Sequence, residues 1–138
     1  MHYTAVEEIP TGKVVTASMF LVNKYPAIVL FDSRASHSFM SQTFASKHHQ
    51  KIIEVDKGGY SISSAGATIS TNQLVRDVLI SIQERKYTRD IIILLGLATD
   101  VILGMNWMRG HGVLIYTTTR TIMLREPNES NAFLVPLP

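Results

Sequence analysis

A chain of 138 residues falls within the size range of one domain, enough for a hydrophobic core but short for a two-lobed enzyme. Its 13 basic and 11 acidic residues leave a net charge of only +2, and the basic residues are scattered without aromatic interleaving, so no nucleic acid is expected to bind this domain. With no cysteine, disulfides, thiolate metal sites and cysteine nucleophiles are all excluded.

From Met1 to Pro10 the chain carries Glu7 and Glu8 and no apolar stretch of signal-peptide length, and no window approaches the ~18 apolar residues of a membrane span. No membrane association is expected, and the domain reads as cytoplasmic or otherwise intracellular. Short β-branched and aliphatic runs then dominate. Val14-Val15, Met19 to Val22 and Ala27 to Phe31 are predicted strands, with Asn23-Lys24 a tight hairpin turn and Pro26 just inside the return strand near an edge. The run Ile28-Val29-Leu30-Phe31 calls for apolar cover on both faces and delivers Asp32 into a small-residue turn, Ser33 to Ser36.

The spacing predicts a helix over Ser38 to His49, with Met40 and Phe44 four apart, Ser36 or Ser38 as cap, and Lys47, His48 and His49 at the negative end of the dipole. Gly58 and Gly59 make a turn and lack the Lys-Ser/Thr ending of a phosphate loop. Tyr60 to Thr71 is small and polar with Gly66 central, which suits two strands of a hairpin. Further strands follow at Val78 to Ile82, whose Val78, Ile80 and Ile82 share a face, and at Ile91 to Leu95, Val101 to Leu103, Val113 to Tyr116 and Thr121 to Leu124. A turn is expected at Gln83 to Lys86, and a short helix at Asn106 to Arg109, stopped by Gly110 and Gly112. The expected class is all-β, and Glu126 to Pro138 reads as a linker or as a strand lent to a partner's sheet.

Asp32 is the chemically pointed residue. The stretch Ala27 to Ser41, AIVLFDSRASHSFMS, resembles the catalytic turn of retropepsin-like aspartic proteases, in particular those of plant Ty3/gypsy-type retrotransposon polyproteins. The block from Asp100 to Met108, DVILGMNWM, resembles the same family's downstream hydrophobic-hydrophobic-Gly element and following helix, and the likeness runs from about Val14 to Leu124.

The resemblance implies a closed, barrel-like fold of antiparallel sheets with one or two short helices, a single lobe that dimerises. It divides the chain into an N-terminal extension (1–13), a protease domain (14–125) and a C-terminal tail or linker (126–138). Asp32 becomes the catalytic acid, supported by Ser33, Arg34, Ala35 and Ser36. Ile102, Leu103 and Gly104 pack beneath the turn, and Ser64, Ala65, Gly66 and Ala67 form the tip of a flap over bound peptide. Asp32-Ser33 is the one Asp-Ser/Thr step, since Asp56, Asp77, Asp90 and Asp100 are followed by Lys or apolar residues. A second acid must therefore come from a second copy, making a homodimer with a polypeptide substrate or ligand.

Arg34 departs from the family, which has Gly there. A guanidinium that reached Asp32 would favour its ionised form and expel the proton that the mechanism uses, whereas one pointing to solvent would leave a weakened enzyme. The expectation is reduced peptide hydrolysis, with an inactive dimerisation or peptide-binding domain as the alternative. Ser33 either bonds across the dimer or makes an ordinary turn contact. No metal or cofactor is expected, because His37, His48, His49 and His111 have no ligand spacing, and Ser36-His37-Ser38 lacks the GxSxG of a serine hydrolase. Trp107 reads as core or dimer packing rather than a ligand platform.

Overall fold

The computed structural model describes residues 15–55, 58–64 and 67–137. Val14, Ala65 and Gly66 lie outside the described residues, as do residues 1–13. Strands β1 (Val15–Val22) and β2 (Tyr25–Asp32) form the expected hairpin, Val22 facing Tyr25 across a two-residue turn. Asn23 and Lys24 take φ of 48° and 74°, the left-handed pair whose twist matches flanking strands, and Asn tolerates that conformation better than most residues. Along β2, Ala27, Val29 and Phe31 are wholly buried while Ile28 is exposed. One face is covered, contrary to the expectation of two, because β2 lines a barrel wall whose outer side is open.

Then follow β3 (Phe39–Ser41), α1 (Gln42–Lys47), β4 (Ile52–Glu54), the hairpin β5 (Tyr60–Ser64) and β6 (Ala67–Thr71), and the long hairpin β7 (Gln73–Ile82) and β8 (Arg85–Leu94). Strand β9 (Val101–Leu103), helix α2 (Met105–Gly110) and strands β10 (Leu114–Tyr116), β11 (Thr121–Arg125) and β12 (Ala132–Pro136) complete the chain. The order β1-β2-β9-β3-β8-β7 closes on itself through β1–β7 pairing, giving a six-stranded barrel with β4 added to β7. Asn23 fastens the seam: its N–H and side-chain Oδ1 bond the carbonyl and N–H of Leu79, each at 2.7 Å. Pairing is mixed, with β2–β9 and β3–β8 parallel, so the wholly antiparallel expectation is corrected there. The parallel β2–β9 pair brings the turn after Asp32 and the segment after Leu103 to the same end of the barrel.

The helix expected over Ser38 to His49 is only half its predicted length. Phe39–Ser41 instead pairs with both β8 and β9, and the buried sites those strands offer outcompete local helix propensity. The cap is Ser41, whose Oγ accepts from the Phe44 N–H at 2.9 Å, rather than Ser36 or Ser38. Helix α2 runs one residue beyond the expected Asn106 to Arg109 at each end and buries Trp107 completely.

The segment 126–138, expected as tail or linker, contributes β12 to a three-stranded sheet β10-β11-β12 of its own protomer. Val135 and Leu137 are buried in the main core alongside Val113, Ile115, Ile122 and Leu124. Arg85 holds this sheet to the barrel. Its guanidinium donates twice to the Glu126 carboxylate, at 2.9 and 2.6 Å, and lies 3.8 Å from the centre of the Phe133 ring.

Candidate active site

Strand β2 ends at Asp32 because its inward residues are needed by the core as far as Phe31, which packs against Phe20 and Trp107. The next residue is partly exposed. The carboxylate Oδ1 of Asp32 accepts from the Arg34 backbone N–H at 2.9 Å, and its main-chain carbonyl accepts from the Ala35 N–H at 3.2 Å. Together these form an Asx-type turn, in which the acid fixes its own presentation.

Ser33 is fully buried within the single protomer, while Arg34 is exposed. Arg34 makes no ion pair among the described residues; the two present join Arg76 to Asp90 and Arg85 to Glu126. Its side chain therefore does not clamp Asp32 within the protomer.

The second block meets the turn from below. Phe31 pairs with Leu103 in parallel register, and the carbonyls of Ala35 and Ser36 accept from the N–H groups of Met105 and Asn106 at 2.7 and 3.3 Å. A Cβ added to Gly104 would lie 2.2 Å from the His37 carbonyl oxygen and 2.6 Å from that of Ala35, so the expected close backbone approach is realised. Ser38, buried, completes the joint: its Oγ donates to Asn106 Oδ1 at 2.8 Å and accepts from the Gly104 N–H at 3.0 Å. This role escapes sequence reasoning, since one small polar residue before an apolar pair leaves no periodic signal. Asp100 is a second omission. Its carboxylate accepts from the Ile28 N–H at 2.8 Å while Thr99 Oγ1 donates to the Ile28 carbonyl at 2.9 Å, pinning β2 where β9 begins.

The β5–β6 hairpin stands over this end of the barrel. Tyr60 and Ile62 pack on a small cluster that also contains Ala35 of the turn and Ile102 of β9. Ser64 and Ala67, expected at the flap tip, are paired strand residues. Ser36 Oγ lies 3.1 Å from His37 Nδ1, and the His37 ring is 6.2 Å from that of Tyr60. The structure thus brings together Asp32, the turn, Ile102 to Gly104 and the hairpin base.

Behind the site an aromatic stack runs from Phe31 through Trp107 to His111 and Tyr87. The ring nitrogens Trp107 Nε1 and His111 Nε2 are buried without a hydrogen-bond partner. Burial, with Arg89 and Arg125 adding to it, lowers the His111 pKa to about 4. Burial likewise raises the Tyr87 hydroxyl to about 12, and that hydroxyl donates to the Arg125 carbonyl at 2.7 Å.

The sequence profile of a family described as retroviral aspartyl protease matches residues 1–130. Among solved structures, the chain is similar to the protease of EIAV in complex with the inhibitor HBY-793, at TM-score 0.55 and 17% identity, covering 75% of this chain and 93% of that one. It is also similar to the retroviral protease-like domain of Ddi1 from Leishmania major, at TM-score 0.58 and 13% identity, covering 90% and 95%. No curated protein shows a significant sequence match.

Proposed function

Because the chain belongs to the retroviral aspartyl protease family, we propose that it is an aspartic endopeptidase domain of the Ty3/gypsy retrotransposon type, acting as a homodimer with Asp32 of each copy on the twofold axis. Two carboxylates about 3 Å apart cannot both ionise cheaply, so one proton stays in the pair, as established for aspartic proteases generally. The ionised carboxylate takes a proton from water as it attacks the peptide carbonyl, and the protonated one supplies a proton to the carbonyl oxygen. A lone Asp32 lacks the second role. The β5–β6 hairpin serves as the flap that closes over the peptide.

The observation that carries this reading is the Asp32 turn seated on Gly104 with its carboxylate held by the Arg34 amide and unclamped by the Arg34 guanidinium. Its chemistry is compatible with activity, reduced by the bulk of Arg34 in place of Gly. A second reading, a dimer that binds peptide without cutting it, is favoured by that same replacement, since two arginines enter one cleft.

Cleavage of an unstructured protein at acid pH separates the two. The first reading expects slow cleavage that a statine peptide blocks, that Asp32→Asn abolishes and that Arg34→Gly accelerates. Peptide binding with no Asp32-dependent cleavage, before or after Arg34→Gly, transfers the chain to the second reading.

A further inference from the structure

We infer that Arg34 is a specificity-determining residue which selects peptides carrying an acidic side chain close to the scissile bond. The inference rests on the proposed function and adds the substrate class. Arg34 is exposed, joins no ion pair among the described residues, and is anchored to the acid by its own backbone, whose N–H lies 2.9 Å from Asp32 Oδ1. A long cation therefore rises from within two residues of the reacting carboxylate.

The hairpin above the turn and the segment beneath it offer the guanidinium no carboxylate. Residues 60–71 of the overlying hairpin contain no Asp, Glu, Lys or Arg, and neither do residues 101–108 beneath the turn. Asp32 and Arg34 are thus the charged side chains that these three segments bring to the cleft. Asp32 itself is turned to its amide partner, and drawing it onto the guanidinium would favour the doubly ionised acid pair that cannot work as an acid. A carboxylate from the peptide resolves this: it supplies the planar, bidentate partner that a guanidinium fits best. It also compensates the charge whose desolvation under a closed flap would otherwise oppose binding. On this account the residue that slows general proteolysis narrows it to acidic sequences, and a neutral or basic peptide leaves two cations unpartnered in the closed site.

The test uses the full chain carrying Asp32→Asn, with a set of fluorescent peptides in which Glu, Gln or Lys is walked one position at a time along a fixed neutral sequence. Binding is read by anisotropy, and the same set is then offered to the unaltered protein for cleavage. One charge-assisted contact predicts about tenfold tighter binding for Glu over Gln at one or two adjacent positions. Arg34→Gln should erase that preference, Arg34→Glu should shift it to Lys, and added salt should weaken it. Equal binding of the Glu and Gln series by a protein that does bind peptides overturns this inference alone. Binding of none of the peptides overturns the proposed function and this inference with it.

Discussion

At Gly104 two segments of backbone come as close as they can. With a Cβ placed 2.2 Å from one carbonyl oxygen and 2.6 Å from another, Gly104→Ala cannot be absorbed by a side-chain movement. The turn that carries Asp32 must shift instead. Overpacking of this kind typically costs about 1–3 kcal/mol, and here the upper part of that range is expected because both neighbours are main chain. Chemical denaturation should show the fall in stability, and peptide cleavage should fall further than the folded fraction does. His111 sets a different limit. Its folded pKa of about 4 lies below its ordinary 6.5, so the unfolded chain binds the extra proton first. Stability is accordingly full above about pH 6.5 and declines as the pH falls towards 4, by roughly 2 kcal/mol once partial exposure is discounted. Urea midpoints measured across that window should fall for the unaltered protein and stay flatter for His111→Phe; identical profiles would remove His111 as the cause.

At the scale of elements, the C-terminal strand matters most. Strand β12 places Val135 and Leu137 in the core, and the Arg85 guanidinium binds Glu126 and covers Phe133. Removing residues 132–138 should strip those side chains from the core and expose Ile122 and Leu124, leaving a chain that aggregates or unfolds at 37 °C, as read by thermal melting. Survival of a cooperative, undiminished transition would show instead that β12 is dispensable. Smaller in effect, Ser41→Ala removes the cap of α1 and should cost about 1 kcal/mol. These elements also mark what could be seen in the sequence beforehand. The β1–β2 hairpin is legible because a two-residue turn between alternating runs is a local signal, and Val78, Ile80 and Ile82 do share a buried face, but β7 and β8 run over Gln73–Ile82 and Arg85–Leu94, well beyond the expected Val78 to Ile82 and Ile91 to Leu95. The Phe39–Ser41 strand was not legible, since three residues without a Gly or Pro before them look helical until distant partners from β8 and β9 are present. The bulge in β7 was equally hidden. There Asp77 sits at φ 52° with its N–H held by the Asp90 carboxylate, a partner 13 residues away. Of the site, Asp32, Gly104 and the hairpin were found through residue type and order, whereas Ser38 and Asp100 act through contacts 66 to 72 residues distant along the chain.

For the whole molecule, the barrel presents Asp32 at the end of a covered strand yet only half-covers the acid itself, and one protomer holds one such turn. Three clefts among the described residues, of about 630, 260 and 740 Å³, are lined by residues other than Asp32. In the proposed homodimer a second copy would supply both the second carboxylate and the far wall of a peptide-sized cleft. Mixing makes the sharing of acids measurable. If unaltered and Asp32→Asn chains are combined in equal amounts and allowed to exchange, random pairing leaves about one quarter of the dimers with two acids. Cleavage per unaltered chain should then halve, so that total activity falls to about one quarter of that of the same total concentration of unaltered protein. Activity that instead falls only to about one half, in simple proportion to the unaltered chain, would mean that each protomer works alone and would contradict the shared acid pair.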